Sequence, residues 1–301
     1  MNIDNTSNNT NDNSRPVTPL EEDCCHNGCN PCIFDVHAKL LEEWKKKKKG
    51  NMKTQIRTNL LCPFSYKNFI ITDIKEAAEN YILLSVKYQE NEIKNNVKLL
   101  IKPGHHVMLH LQEATRSFTP IHFTDDNIQF LIRLYDNGKF STCIRHAKIG
   151  DEIRIRGPYG NFKYKCNSFQ NIIMFCMGSG ITAMYPVAKS IIDNELEETR
   201  IHFIGCFQKM SQVPLKKELQ IFSDYWNFKC TLYISQLQNE IHNLHGINIK
   251  CGHLNEASVH QILRDNTSDT TLVLICGSQE FDNSIKQWTN EMDYKCIHVF
   301  E

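Results

Sequence analysis

The feature that most constrains the fold is a change of hydrophobic pattern near residue 165. Between about residues 60 and 165, apolar and polar residues alternate in short segments separated by turns. Regularly spaced strands of this kind are typical of an antiparallel barrel or sandwich. From about residue 170, unalternating apolar runs are separated by helical stretches, which indicates a parallel sheet covered by helices on both faces. The sequence therefore predicts two domains, an antiparallel β-barrel followed by an α/β parallel-sheet domain.

These patterns place the main elements and divide the chain into four segments. The strands predicted in the barrel are Asn68–Ile74, Tyr81–Tyr88, His106–Leu111, Ile128–Tyr135 and Glu152–Gly157. The parallel strands are predicted at Ile172–Met177, Ile201–Phe207, Cys230–Ser235 and Leu272–Cys276. Helices are predicted at 141–147, 181–193, 214–224, 256–264 and 279–291. The segments are a tail at 1–20, a Cys-rich module with a helix at 21–50, the barrel at 60–165 and the α/β domain at 166–301.

The N-terminal segments differ from the rest in composition. Residues 1–20 are rich in Asn, Ser, Thr and Asp, which predicts a disordered tail. Apolar residues at helical spacing predict an amphipathic helix over 33–45, and it runs into the lysines of Lys45–Lys49. These lysines are either a solvated helix end that complements the helix dipole or a surface for an acidic partner or an anionic membrane.

Charge and hydropathy exclude several classes of protein. The 34 basic and 34 acidic side chains balance, which argues against a dedicated nucleic-acid binder. The sequence has no apolar stretch long enough for a transmembrane helix, and its N-terminus lacks the apolar core of a secretory signal. We therefore expect a monomeric cytoplasmic protein, or one that is peripheral to a membrane.

The 13 cysteines are unevenly distributed, with four of them at Cys24, Cys25, Cys29 and Cys32. An odd number in a long chain without a secretory signal argues against a disulfide scaffold. Four thiols so close together could bind zinc or an iron–sulfur cluster, could be redox-active, or could form a small packing motif. Adjacent Cys24 and Cys25 cannot easily ligate one ion together, so no metal ligand is assigned.

Ligands of parallel α/β sheets bind beyond the carboxyl ends of the strands. The first parallel strand ends in Gly178-Ser179-Gly180-Ile181-Thr182, where glycines let the backbone approach a ligand and the next helix begins with a terminus that favours a pyrophosphate. The alternative is a tight turn that needs positive φ. The last long strand ends in Cys276-Gly277, on the same edge, so its thiol could touch a bound cofactor. The alternative is a core Cys before a Gly turn.

The barrel region contains two further candidate segments. Arg116-Ser117-Phe118-Thr119-Pro120 follows a predicted strand and offers a guanidinium for phosphate, an aromatic for a flat ring and a hydroxyl for ring nitrogens. The alternative is a solvated loop Arg beside a core Phe. Asn137–Thr142 precedes a predicted helix, and its backbone N–H groups could cradle a second phosphate. The alternative is a hairpin turn.

Five motifs occur in order along the chain: Arg-x-aromatic-Thr-Pro, Gly-Lys-x-Ser, Gly-Asp-x-Ile-x-Ile-x-Gly-Pro-x-Gly, Gly-x-Gly-Ile-Thr and Cys-Gly. Over residues 60–301 this order closely resembles the ferredoxin reductase superfamily, and specifically the NADH–cytochrome b5 reductases. The cysteine-rich stretch Asp23–Asp35 resembles a short oxidoreductase-like N-terminal module. This resemblance does not indicate what the cysteines do.

The resemblance implies a flavoenzyme with a barrel that binds FAD and an α/β domain that binds NADH, with NADPH not excluded. A hydride would pass from nicotinamide C4 to flavin N5, and single electrons would then reach a haem protein such as cytochrome b5. The family role is electron supply for lipid desaturation, elongation and sterol synthesis. The alternative is a binding or scaffold protein on a reductase fold with weakened catalysis.

The resemblance also implies residue roles. Arg116 would hold an FAD phosphate, Phe118 would face the isoalloxazine ring, and Thr119 and Cys276 would be the catalytic contacts. The implied cofactor-binding residues are Arg116, Phe118, Thr119, Pro120, Arg133, Tyr135, Gly138, Lys139, Phe140, Ser141, Gly178, Ser179, Gly180, Thr182, Cys276 and Gly277.

The chain departs from the family pattern at several positions. Phe118 replaces the usual Tyr, Ala183 a usual Pro, and Ser278 the first of two prolines. The segment expected to choose NADH over NADPH, Phe207–Gln212, has no acid to bind a ribose hydroxyl, and its Lys209 could tolerate a phosphate. NADH is therefore expected from the resemblance alone.

Overall fold

The computed structural model describes residues 15–16, 18–21, 32–47, 58–89, 97–237 and 244–300, and for residues 43, 46 and 47 it describes the backbone alone. Most of the predicted tail lies outside these residues. So do Cys24, Cys25 and Cys29, so the alternatives for the cysteine cluster stay open. No helix within the described residues is both long and apolar enough to span a bilayer.

The first part of the chain forms an antiparallel sheet of seven strands. Its elements are α1 (Ile33–Lys47), β1 (Thr58–Asn59), β2 (Lys67–Ala78), β3 (Tyr81–Tyr88), β4 (Val97–Lys98), β5 (His106–Leu111), β6 (Ala114–Phe118), β7 (Pro120–Phe123), β8 (Asn127–Arg133), α2 (Lys139–His146) and β9 (Glu152–Tyr159). The sheet order is β6-β5-β9-β2-β3-β8-β7, while β1 and β4 form a small separate pair. Only Thr119 separates the two edge strands β6 and β7, so the sheet rolls up and its edges meet at this residue.

Alternation along these strands builds the core of the barrel. In β5, Val107, Leu109 and Leu111 are buried in an apolar cluster with Phe69, Phe130 and Ile155. The intervening residues of β5 lie on the opposite face, because side chains alternate along a strand.

The second part of the chain is a six-stranded parallel sheet flanked by helices. Its elements are β10 (Asn171–Met177), α3 (Ile181–Ile192), β11 (Arg200–Phe207), α4 (Lys216–Ser223), β12 (Phe228–Ile234), β13 (Ile247–Cys251), α5 (Glu256–Arg264), β14 (Thr271–Cys276), α6 (Gln279–Glu291) and β15 (Ile297–Val299). The order is β13-β12-β11-β10-β14-β15, and every pair is parallel.

Both faces of this sheet are buried, as the apolar runs predict. Along β10, Ile172 and Met174 pack with α3 and α4, while Ile173 and Phe175 pack with α5 and α6. The predicted fold class is therefore confirmed: an antiparallel β-barrel is followed by a parallel α/β domain.

Three sequence predictions need correction. The segment from Arg116 to Pro120 is not a loop after a strand, because Arg116 and Phe118 belong to β6 and Pro120 begins β7. Strand β8 ends at Arg133 rather than at Tyr135. Strands β13 and β15 at the sheet edges were not predicted, because their mixed polar pattern resembles a loop more than a fully buried strand.

The two domains share part of one core. Tyr81, Ile121 and Leu131 of the barrel belong to the same apolar cluster as Ile172 and Met184 of the α/β domain. This continuity fixes how the carboxyl ends of β10 and β14 lie against the barrel.

Candidate functional site

A cleft of about 1180 Å³ lies between the barrel and the α/β domain. Its walls come from β6, the start of α2, the turn after β10, the end of β14 and, on one side, α1. Of the sixteen predicted binding residues, fourteen line it, while Gly178 and Pro120 lie buried behind its wall. Residues separated by more than 150 positions therefore meet in one cavity.

The barrel wall is formed at the meeting of the two edge strands. Arg116 is exposed on β6, and its guanidinium donates a hydrogen bond to the Thr115 carbonyl at 2.7 Å. Phe118 packs on Phe140 of α2 with ring centroids 4.9 Å apart, and Thr119 lies half-buried between the strands. This arrangement offers the cleft a cation, an aromatic ring and a hydroxyl in that order.

The N-terminus of α2 opens into the same cleft. Its N-cap is Gly138, no side chain caps the helix, and its first turn contains Lys139 but no acid. Ser141 is buried and accepts a hydrogen bond from the Tyr135 N–H at 2.9 Å, which fixes the approach to the helix. Unsatisfied N–H groups at a helix start, together with a lysine, favour an anion.

Arg133 connects the barrel to the turn after β10. Its guanidinium lies over the rings of Tyr81 and Tyr135, 5.9 and 5.1 Å from their centroids. Gly178 has a φ of +57°, and a Cβ there would lie 2.7 Å from an Nη atom of Arg133. Gly178 is thus required both by its turn and by the closeness of Arg133.

Gly180 lines the cleft and also packs directly against the end of β14. Its φ is an ordinary −57°, but a Cβ would lie 2.1 Å from the carbonyl oxygen of Cys276. The glycine therefore allows the turn to touch the end of β14, and its predicted approach to a ligand stays a prediction. Thr182 donates from Oγ1 to the Ser179 carbonyl at 2.9 Å, which closes the turn.

The Cys276 thiol, beside Gly277 in the cleft wall, is neutral at physiological pH. Burial, with a smaller contribution from the Asp282 charge, raises its pKa to about 12. The side chain can therefore contact a ring, but it is not a thiolate nucleophile. Cys206, on the neighbouring strand, also has its pKa raised to about 12 by burial, consistent with a packing role.

His106 lines the cleft and was missed by sequence reasoning. Its Nε2 is buried and has no hydrogen-bond partner among the residues that the structure describes. Burial, followed by the neighbouring His105 charge, lowers its pKa to about 4, so the imidazole is neutral. A polar residue at the start of an otherwise apolar strand was the available signal, and its unsatisfied nitrogen is suited to a ligand's hydrogen bond.

An acidic residue from the barrel reaches the segment Phe207–Gln212, where the sequence shows no acid. The Glu79 carboxylate accepts hydrogen bonds from the Ser211 hydroxyl and the Gln212 amide, and it lies 3.8 Å from Lys209 Nζ. The Ser211 hydrogen bond is the main cause that lowers the pKa of Glu79. The carboxylate is 132 positions away in sequence, so it could not be found by local pattern.

The cleft fits FAD on structural grounds. It offers a guanidinium and an uncapped helix start for phosphates, aromatic faces for a flat ring, and the unsatisfied Nε2 of His106. These are the groups that a dinucleotide with a polar ring system needs.

Comparisons with known proteins agree with this geometry. Residues 69–164 match the oxidoreductase FAD-binding domain family, and residues 174–287 match the oxidoreductase NAD-binding domain family. Residues 13–53 match the family described as oxidoreductase-like protein, N-terminal.

Relatives span most of the chain. The human NADH-cytochrome b5 reductase-like protein is 27% identical over 281 residues, which cover 90% of this chain and 89% of the relative. NADH-cytochrome b5 reductase 1 of Candida albicans is 28% identical, covering 79% of this chain and 80% of its own. The fold is similar to that of the cytochrome b5 reductase domain of Ulva prolifera nitrate reductase, with a TM-score of 0.71 and 18% identity, covering 81% of this chain and 100% of that one.

The family matches and the cleft identify an oxidoreductase with FAD and NAD as its cofactors. The FAD-binding domain precedes the NAD-binding domain, and an oxidoreductase-like N-terminal segment precedes both. The chain is therefore a flavoenzyme with FAD-binding and NAD-binding oxidoreductase domains, and it is similar over most of its length to NADH-cytochrome b5 reductases.

Proposed function

We propose that this protein oxidises NADH and delivers single electrons to cytochrome b5 or a similar haem protein. The observation that supports this most strongly is the single cleft shared by Arg116–Thr119 of the barrel and by Gly180 and Cys276 of the α/β domain. A hydride transfer between two cofactors requires that each domain contribute one wall to the same cavity, because the reacting atoms must approach to about 3–3.5 Å.

The residues of the barrel wall would position the flavin. Arg116 and the N-terminus of α2 bind its phosphates, Phe118 covers its ring system, and the Thr119 hydroxyl hydrogen-bonds to ring nitrogen. His106, neutral because of its lowered pKa, offers one more hydrogen bond from the unsatisfied Nε2. Together they orient the ring and exclude water from it.

The α/β domain would position the nicotinamide. Gly178 and Gly180 keep the turn after β10 close to Arg133 and to β14, and Cys276 with Gly277 contacts the ring. Bound FAD supplies the step from two-electron to one-electron chemistry, which no side chain can provide. Because the Cys276 thiol stays protonated, its part is contact and polarity rather than proton transfer.

Glu79 supports NADH as the electron donor. In nucleotide-binding sheets of this kind, a carboxylate near the end of the second strand binds the adenosine ribose hydroxyl, whereas a basic group accommodates the NADPH phosphate. The segment after β11 contains Lys209, but Glu79 neutralises this lysine and places a negative charge beside Ser211. A 2′-phosphate would meet that charge, so we expect NADH to be preferred.

The proposed acceptor and cellular role rest on the relatives rather than on the geometry of the cleft. The names of the human and fungal relatives support cytochrome b5 as the acceptor. The corresponding role is electron supply for lipid desaturation, elongation and sterol synthesis.

The decisive experiment is a visible spectrum of the purified protein before and after anaerobic NADH. We expect a yellow protein whose flavin absorbance is bleached by NADH. Addition of cytochrome b5 should then re-oxidise the flavin and reduce the haem of cytochrome b5. A flavin that binds but is not reduced by NADH would instead support a scaffold on a reductase fold. A colourless protein that takes up no FAD would refute the proposal.

A further inference from the structure

The N-terminal helix α1 lies against the barrel beside the cleft. Val36, which is 8% exposed, forms a small apolar cluster with Met108 of β5 and Tyr159 of β9, and Leu40 and Phe64 pack on its edge. His37 adds an edge-on contact with the Phe64 ring, with centroids 6.1 Å apart. These contacts fix the helix on the outward face of β5 and β9, away from the barrel core.

The same helix contributes directly to the wall of the cleft. Asp35, Ala38 and Lys39 line the cavity that Arg116 and His106 also line. All three residues are exposed to solvent, so this side of the helix forms part of the rim of the cavity. The segment before the barrel therefore belongs to the site and is not merely attached to the enzyme.

A short chain of contacts leads from α1 to the buried polar group of the cleft. Tyr159, which contacts Val36, stacks on the His106 ring with centroids 5.7 Å apart and an angle of 29° between the planes. The Tyr159 hydroxyl donates to the Pro63 carbonyl at 2.5 Å, which holds this ring in place. Because Tyr159 is 7% exposed under α1, removal of the helix would open this path to water.

We propose that α1 is the third wall of the flavin cleft and that it slows the release of FAD and shields its ring from solvent. This inference rests on the proposed binding of FAD in the cleft. It assigns to the oxidoreductase-like N-terminal segment a binding role, in which Val36 anchors the helix and Asp35 and Lys39 form the rim. Closing a cavity in this way strengthens the polar contacts inside it and reduces loss of a bound ligand.

The test compares two Asp substitutions on opposite sides of α1 in the full-length protein loaded with FAD. Val36→Asp places a charge in the apolar cluster and should detach the helix. Phe34→Asp, at a position 42% exposed on the same helix, is the matched control. The readouts are the rate of FAD release on dilution, iodide quenching of flavin fluorescence, and tryptic cleavage after Lys39.

We expect Val36→Asp to release FAD at least about tenfold faster, the equivalent of about 1.4 kcal/mol, with stronger quenching and faster cleavage, while Phe34→Asp stays within about twofold of the parent. If Val36→Asp fails to fold, Val36→Ala takes its place in the test, and we expect it to release FAD several-fold faster than the parent. Faster cleavage without faster FAD release overturns the inference, as does an equal effect of Phe34→Asp. Those results would leave NADH reduction of the parent flavin intact, whereas a parent that binds no FAD overturns the proposed function as well.

Discussion

Replacing Gly180 with Ala tests how the two cofactor walls are held together. The added Cβ would lie 2.1 Å from the carbonyl oxygen of Cys276 and 2.7 Å from its carbonyl carbon. Side-chain carbons are essentially never found closer than 3.0 Å to such atoms, so the turn and the end of β14 must separate by about 0.9 Å or more. Both obstacles are backbone atoms, and rotation of a side chain cannot relieve them.

The cost can be estimated from packing and from positioning. Overpacking of a closed core costs about 1–3 kcal/mol, and a backbone obstacle belongs at the upper end. At about 2 °C per kcal/mol for a chain of this size, the melting temperature should fall by about 6 °C. A misplacement of about 1 Å at a reacting centre can cost about 100-fold in rate, so flavin reduction by NADH should slow by that factor at saturating NADH.

The assay is stopped-flow reduction of the flavin under anaerobic conditions, combined with thermal unfolding. Gly205→Ala is the matched control, because its Cβ would meet the Leu232 and Phe207 side chains at 2.9 Å, which can rotate, and it lies on β11 away from the cleft. We expect the control to lose some stability but to keep its reduction rate. A Gly180→Ala protein with the parent's melting temperature and reduction rate would show that the contact with Cys276 does not position the site.

Three further predictions follow from groups near the site and in the sheet. Cys276→Ser should slow flavin reduction by about two- to tenfold through a changed contact, but the pH profile from 6 to 9 should keep its shape, because a thiol with a pKa of about 12 does not ionise there. Glu79→Gln should lower the preference for NADH over NADPH by about tenfold and tighten binding of 2′,5′-ADP relative to 5′-ADP, measured by calorimetry on the full protein. Burial lowers the pKa of His202 to about 4, so the unfolded chain takes up a proton at this residue as the pH falls from 6.5 towards 4 while the folded protein does not. The free energy of unfolding should therefore fall over this range by up to about 3 kcal/mol because of His202. His202→Gln should lack this part of the acid-induced loss of stability.

Each of these predictions has a control and an opposing outcome. A shift of the pH profile in Cys276→Ser would mean that the thiol ionises during turnover. Glu76→Gln removes an exposed carboxylate from β2, the strand that ends just before Glu79. If this variant loses as much preference for NADH over NADPH, the effect comes from the total charge of the region rather than from Glu79. His122→Gln, at an exposed position on β7, should keep the acid sensitivity of the parent, and identical acid curves for His202→Gln would contradict the role of burial.

The parallel sheet was the part most fully predictable from sequence. Strands β10 and β14 are buried on both faces, and an uninterrupted apolar run has few other interpretations. The placement of Gly178 and Cys276 at one edge then followed from the rule that parallel strands end on the same side.

Other parts of the fold and of the site depend on contacts between residues far apart in sequence, which a local sequence pattern does not indicate. Arg116 and Ser117 are exposed on a short edge strand, so their polarity resembles that of a loop. Glu79 reaches Ser211 only because the two domains pack together, and α1 reaches the cleft only because Val36 finds Met108 and Tyr159. Such juxtapositions are set by tertiary packing, which overrides what short windows of sequence indicate.

The core shared by the two domains limits how the protein can be taken apart or recombined. Tyr81, Ile121 and Leu131 of the barrel pack into the apolar cluster of the nucleotide domain, so each half exposes apolar surface when it is expressed alone. A chimera that exchanges the nucleotide domain for that of a relative must therefore match these three side chains as well as the cofactor contacts. The two domains are therefore not independent modules, because they share this apolar interface. A grafted domain that does not match the interface leaves apolar surface exposed and should aggregate before its cofactor specificity can be measured.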